Sequence, residues 1–303
     1  MIQDGDSPNI RPLRPSDLDT LVELYNNCTP HSPKSVSDFS KDLLGSEWPD
    51  GLVRVILAGK NAAGFAHVVR IPGLDRYYEL NGCIRPGVRN QGLGSRLLES
   101  ILKELQSKGA KVATFVSKSE RDPGASFLLK KGFSIEHQEW IMGLDLTADT
   151  HLSAAWPPDY SAVSYSKEEA IATFRELYDQ IFADFPWYQP YESEQQVARE
   201  LADPANLLFL RGNNMSLGFC WTRQRDITTG EIEPIGLLKK YRRKGLGKNL
   251  LLESLFRLKK QGTTRIEIGT WEENQPAIAL YRRTGFKRIQ TVKHLGFHLQ
   301  SNI

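Results

Sequence analysis

Slid against itself by 153 residues, the sequence lays 84–133 over 237–286 without a gap. The coincidences include Arg89 with Arg242, Gly92 with Gly245, Gly94 with Gly247, Gly109 with Gly262, Pro123 with Pro276, and Gly132-Phe133 with Gly285-Phe286. A period of about 150 residues is the size of a unit with its own core, so it predicts two copies of one fold rather than one large domain or a short-period solenoid. Between the copies, Ala154-Ala155-Trp156-Pro157-Pro158-Asp159 cannot continue a helix, because proline lacks an amide donor and restricts the residue before it. The expected domains are residues 1–147 and 159–303, joined by a linker at 148–158.

Each copy reads as mixed α and β. In the first, Leu18, Leu21, Val22 and Leu24-Tyr25 keep helical spacing behind a short strand at 10–13. Alternating and β-branched residues then mark hairpin-linked strands near 52–58, 63–70 and 77–84. Leu93, Leu97, Leu98, Ile101 and Leu105 precede Gly109, as Leu246, Leu250, Leu251, Leu255 and Leu258 precede Gly262. That spacing places a long amphipathic helix at the centre of each copy, flanking a mostly antiparallel sheet. A strand, a helix from Pro123 or Pro276, and a last strand from Phe133 or Phe286 follow.

Both central helices open on a basic glycine turn, Arg89-Asn90-Gln91-Gly92-Leu93-Gly94-Ser95 and Arg242-Arg243-Lys244-Gly245-Leu246-Gly247-Lys248. A turn without Cβ atoms, followed by unpaired helix N–H groups at the positive end of the dipole, is suited to a pyrophosphate. The Walker pattern needs glycine at 242 and Ser or Thr at 249, and the dinucleotide pattern needs Gly or Ala at 250. Neither is present.

A basic residue or Gln, two residues, Gly, one residue and Gly resembles the acyl-coenzyme A signature of the GNAT superfamily of N-acetyltransferases. Asn274-Gln275-Pro276-Ala277-Ile278-Ala279-Leu280-Tyr281-Arg282-Arg283-Thr284-Gly285-Phe286 is similar to the second signature of that family. The resemblance implies two tandem GNAT-like domains and an acetyl-CoA cosubstrate held by the two glycine turns, with Ile84 beside the first. It also implies an Asn274 that approaches the cosubstrate and a Tyr281 near its sulfur. At the 153 offset Tyr281 falls on Leu128 and Asn274 on Arg121, so the first copy keeps a cradle and is expected to be catalytically silent.

Acetyl transfer needs a neutral amine, a polarised carbonyl and an outlet for the thiolate. In Gly230-Glu231-Ile232-Glu233-Pro234-Ile235-Gly236-Leu237 a period of two puts both glutamates on one face. Either serves as a base. A tandem member of the resembled family has its glutamate in a Gly-Glu pair before an apolar strand, which selects Glu231. Pro234 weakens the ladder and suits a bulge at which the amides of Leu237 and Leu238 meet a carbonyl oxygen and the pantetheine arm. In the first copy Glu231 falls on Tyr78, leaving Glu79 one residue out of register. The aromatic run 182–191 is expected to form the lip of the acceptor site or to pack between helices.

The function expected is acetyl-CoA-dependent transfer of an acetyl group to the primary amine of a small molecule or peptide. The alternative is a non-catalytic acyl-CoA sensor, which needs the cradle but no base and acid. A formal charge of +3, from 39 basic and 36 acidic residues, is too slight to imply a nucleic-acid partner. No metal is expected. Cys28, Cys83 and Cys220 lie far apart with no Cys-x-x-Cys pair and read as reduced structural thiols. Met1 to Asp6 carries no leader pattern and no membrane span is visible, so the expected setting is the cytoplasm.

Overall fold

The computed structural model describes residues 9–30, 32–44, 52–147 and 149–299, so Met1 to Asp6 and residue 148 of the expected linker lie outside it. In chain order the first repeat forms β1 (Ile10–Pro12), α1 (Leu18–Cys28), α2 (Val36–Leu44), β2 (Leu52–Ala58), β3 (Asn61–Arg70) and β4 (Tyr77–Ile84). It continues with α3 (Leu93–Ser107), β5 (Val112–Ser117), α4 (Pro123–Leu129) and β6 (Ser134–Asp145). The second repeat forms β7 (Tyr160–Val163), α5 (Lys167–Phe182), α6 (Glu194–Glu200), β8 (Leu207–Gly212), β9 (Met215–Gln224) and β10 (Thr229–Leu237). It closes with α7 (Leu246–Lys260), β11 (Arg265–Trp271), α8 (Gln275–Arg283) and β12 (Lys287–His298). Among the described residues no helix is long and apolar enough to cross a membrane.

The chain forms two compact units, one of Met1–His137 with Lys293–Ile303 and one of Gln138–Val292. In the first, β1 to β4 run antiparallel in sequence order, β5 joins β4 in parallel, and Lys293–His298 of β12 pairs antiparallel with β5. In the second, β7 to β10 run antiparallel, β11 joins β10 in parallel, and β6 pairs antiparallel with β11 from Glu139 to Asp145. The sequence repeat and the compact body are therefore offset by one strand. Each repeat gives the end of its last strand to the sheet of the other, because a strand's side-chain alternation fixes its faces and leaves its partner open.

The leucine spacing of each repeat becomes one buried stripe. Leu93, Leu97, Leu98, Ile101 and Leu105 of α3 pack with Val68, Leu80, Ala113 and Leu128, while Leu246, Leu250, Leu251, Leu255 and Leu258 of α7 pack with Ile232, Ile266, Ile268 and Tyr281. Full burial contributes about 1.5–3 kcal/mol per large aliphatic side chain, and this anchors each central helix. The opposite face of the second sheet carries α5 and α6, through Phe174, Leu177, Ile181 and Val197 against Leu207, Phe209, Phe219 and Trp221.

One irregularity separates the two sheets. From Arg70↔Tyr78 to Gly64↔Ile84 both strands advance six residues, whereas from Gln224↔Gly230 to Gly218↔Leu237 β9 advances six and β10 advances seven. The extra residue lies between Ile232 and Ile235, where Glu233 and Pro234 together oppose Trp221. Upstream of this bulge the repeats are related by 152 residues. Glu79, beside Thr114, then corresponds to Glu231 beside Glu267, which corrects the expected match of Glu231 to Tyr78.

Candidate active site

The bulge coincides with the end of strand pairing on its other side. β10 pairs with β11 only from Thr229 to Ile232, so beyond Ile232 the two strands part and Glu233 stands at the opening. A Cβ on Gly269 of β11 would lie 3.6 Å from Glu233 Oε2. Glu233 and Pro234 line a cavity of about 240 Å³ with Tyr178, Gln189, Pro190, Tyr191, Gln196, Glu200 and Arg223.

Of the two glutamates, Glu233 faces this cavity and Glu231 is not among its lining residues. Glu231 sits in regular ladder on both sides, opposite Arg223 and Glu267. Strand alternation puts both acids on one face, but the bulge and the parting strands send only the second into the opening. The signal was Pro234 itself, which interrupts the ladder directly after Glu233.

The cavity residues come from elements that sequence periodicity did not connect with β10. Tyr178 rises from α5, Glu200 ends α6, and Gln189, Pro190 and Tyr191 lie between them. The run 182–191 thus divides its roles. Its last three residues form a lip, while Phe182 packs on Tyr178 and Phe219, and Phe185 on Trp271. Arg223 Nη2 donates to Glu200 Oε2 at 3.0 Å, and its guanidinium lies 4.7 Å from the Trp221 ring centroid. Burial, reinforced by the charge of Glu233, pushes the Tyr178 phenol up to about 12 and also raises Tyr191, so both stay neutral donors.

On the α7 face, Tyr281 is 5% exposed among Ile232, Leu237, Leu246 and Leu250. Its pKa is raised first by burial and then by the fields of Cys220 and Glu233. The opening thus brings Tyr281 within electrostatic reach of Glu233 across the sheet.

Gly245 caps α7 with φ +78°, a left-handed conformation that costs glycine nothing, and Arg243 adopts φ +62°. No side chain caps this helix, in contrast to α5, α6 and α8, capped by Ser166, Ser193 and Asn274. The first helical hydrogen bond is Asn249 N–H to Gly245 O, which leaves the Leu246, Gly247 and Lys248 amides without an intrahelical partner. A Cβ on Gly247 would meet only Leu237 and Leu280, at 3.8 and 4.0 Å, so the chain itself does not require glycine there. These features fit a pyrophosphate lying on the helix N-terminus. The first unit repeats them, with Gly92 at φ +80°, no side-chain cap on α3, and Arg96 N–H to Gly92 O as the first bond, freeing Leu93, Gly94 and Ser95.

Other expected site residues serve the protein. Arg242 Nε donates to Leu237 O at 2.8 Å and its Nη2 to Ile181 O at 3.3 Å, while Arg89 Nε donates to Ile84 O at 2.9 Å. In both units the leading arginine ties the end of the preceding strand. Lys240 and Lys244 lie over the Tyr241 ring. Asn274 Oδ1 accepts from Ala277 N–H and caps α8. Leu238 N–H donates to Leu217 O at 2.9 Å and is spent. Donors alternate along an antiparallel strand, so the Leu237 N–H points instead toward the opening.

The first unit keeps the glycine turn and uncapped helix start without the rest. Asn81, opposite His67, stands where Glu233 and Pro234 stand in the second unit, and Leu128 is buried at the position of Tyr281.

Comparison with known proteins agrees with this duplicated geometry. The model of the acetyltransferase (GNAT) family matches residues 18–133 and again 171–286. A mycothiol acetyltransferase from Actinosynnema mirum is 25% identical over 230 residues, covering 75% of this chain and 77% of its own length. One from Pseudarthrobacter chlorophenolicus is 29% identical over 240 residues, covering 76% and 72%. A GCN5-related N-acetyltransferase from Sphaerobacter thermophilus superposes with a TM-score of 0.73 at 18% identity, covering 98% of this chain and 97% of that one. A tandem GNAT protein from the clavulanic acid biosynthesis pathway gives 0.66 at 16%, covering 97% and 99%. At such identities the last two show the fold.

Proposed function

The chain belongs to the acetyltransferase (GNAT) family, and from that premise we propose that its second unit transfers an acetyl group from acetyl-CoA to the primary amine of a small molecule. The observation that carries this reading is the bulge at Glu233-Pro234, which lines a polar cavity with a carboxylate on the sheet that also buries the phenol of Tyr281. The amine enters from the cavity side, and its nitrogen attacks the thioester carbon. A C–N bond forms, the C–S bond breaks, and Glu233 takes the proton the nitrogen loses. The Leu237 N–H is directed at the carbonyl oxygen as charge develops there. Tyr281 donates its proton to the departing thiolate and is replenished from solvent.

The Leu246, Gly247 and Lys248 amides hold the pyrophosphate. The cavity is smaller than the ~300–1,000 Å³ of drug-sized pockets. It therefore suits the amine-bearing end of a small acceptor, with Glu233 favouring a cation on entry while Arg223 offsets the charge of Glu200. The relatives named for mycothiol make mycothiol-related amines the first acceptors to try. In the first unit Asn81 and Leu128 favour a different reading, a cradle that binds coenzyme A without chemistry.

A panel of amines, read by release of coenzyme A, tests the proposal. Acetylation by the wild-type chain that falls steeply in Glu233→Gln supports it. Turnover indifferent to Glu233 removes it.

A further inference from the structure

Two of the three cysteines, 55 positions apart in sequence, meet in the first unit. Cys28 is the last residue of α1, and Cys83 precedes the last residue of β4 on the face that carries α1 and α2. Both side chains pack in the same hydrophobic cluster, and Cys28 bonds to Ile84, the residue after Cys83. Arg89 Nη2 donates to Cys28 Sγ at 3.4 Å, and the Cys28 thiol donates to the Ile84 carbonyl oxygen at 3.6 Å.

The second unit has no room for such a pair. Downstream of the bulge the 153 offset holds, and Gly236 takes the place of Cys83. A Cβ there would come within 2.6 Å of Ile181 and 3.0 Å of Phe182, side chains at the end of α5. Where one repeat packs an aliphatic and an aromatic side chain on a glycine, the other sets two cysteines in one cluster beside an arginine. Packing alone does not require that chemistry.

We propose that Cys28 and Cys83 form a two-electron thiol–disulfide site oxidised by a hydroperoxide, with Cys28 attacking and Cys83 resolving. The neighbouring Cys83, and after it Arg89, draw the Cys28 thiol below its ordinary value against the opposing effect of burial, while Cys28 and burial raise Cys83. Arg89, donating to the Cys28 sulfur, favours its thiolate, so Cys28 is the attacking sulfur. Its sulfur attacks a peroxide oxygen, so an S–O bond forms, the O–O bond breaks, and the leaving oxygen takes a proton from water. Cys83 then attacks the sulfenic sulfur. The S–S bond forms, the S–O bond breaks, and the departing hydroxide leaves as water with the Cys83 proton. Two thiols and one hydroperoxide become one disulfide, one alcohol or water, and one water. Cys220, fully buried in the second unit, serves as the internal control.

The test treats the reduced full-length chain with hydrogen peroxide and maps its peptides without reduction. Loss of two hydrogen masses, one remaining alkylatable thiol and a Cys28–Cys83 peptide are expected. Cys83→Ser should accumulate a Cys28 sulfenic acid that dimedone traps, and Arg89→Gln should slow oxidation several-fold at neutral pH with the rate recovering as pH rises. The wild-type map decides the matter even where a variant folds poorly. Three thiols still alkylated, a bridge between two chains, or a bridge to Cys220 would each overturn the proposal.

Discussion

Glu233 and Tyr281 sit on opposite sides of one sheet and still share an electrostatic environment. After burial and Cys220, the Glu233 carboxylate is the remaining cause of the raised Tyr281 pKa. On the Glu233 side, β10 leaves β11 after Ile232 and Glu233-Pro234 bulges against Trp221. A regular ladder would have closed the opening with its own hydrogen bonds and side chains.

Glu233→Gln should lower kcat by at least the ~10²-fold typical of a positioned base, with KM for acetyl-CoA nearly unchanged. Glu231→Gln should change kcat by less than about threefold, because its residue lies in closed ladder. Steady-state kinetics of the two variants compare the carboxylates directly, and the reverse ranking would return the base to Glu231.

Tyr281→Phe should depress kcat and spare acetyl-CoA binding, since only a hydroxyl is removed from a packed ring. Leu128→Tyr should not awaken the first unit, because Asn81 still stands where that unit needs a carboxylate. Turnover with saturating acetyl-CoA reads both, and equal rates for Tyr281→Phe and wild type would retire the acid.

Deleting Pro234 should bring β10 to the six-residue step of β4 and close the bulge. Folding should survive, as judged by circular dichroism and a urea melt, while turnover falls to background. Retained activity would mean that the opening does not depend on the extra residue.

Titration calorimetry should show two coenzyme A molecules per chain, one for each glycine turn. Gly247→Glu should reduce the count to one. Its Cβ meets only ordinary contacts, so the loss reports on phosphate approach rather than folding. Gly94→Glu should do the same, its Cβ meeting Phe127 and Ile84 at 3.5 and 3.6 Å. A wild-type count of one would reduce the first unit to a scaffold.

Arg242→Met should destabilise the second unit by about 1 kcal/mol, since a half-exposed guanidinium bonded to two carbonyls gives less than the ~1.5–3 kcal/mol of a fully buried charged hydrogen bond. A urea midpoint shift at constant m checks it. An unchanged midpoint with weaker coenzyme A binding would instead assign the arginine to phosphate.

The duplicated fold was legible from residues alone. Glycines at 92, 94, 245 and 247, leucines at helical steps behind them and Gly-Phe pairs at 132 and 285 encode local geometry, which the chain expresses wherever it folds. Local rules also located the glycine turns at the helix starts, the leucine at 128 where the second repeat has a tyrosine, and the break in the ladder at Pro234. They did not decide which glutamate faces the cavity, because period two treats Glu231 and Glu233 alike until a bulge moves one of them. Nor did they reveal that the last strands are exchanged between sheets, that Arg242 turns back to hold a strand end, or that Cys28 meets Cys83. Those relations join residues far apart in sequence, and spacing along the chain carries no information about them. Only the packing of helices against a sheet and the registry of its strands bring such side chains within reach of one another.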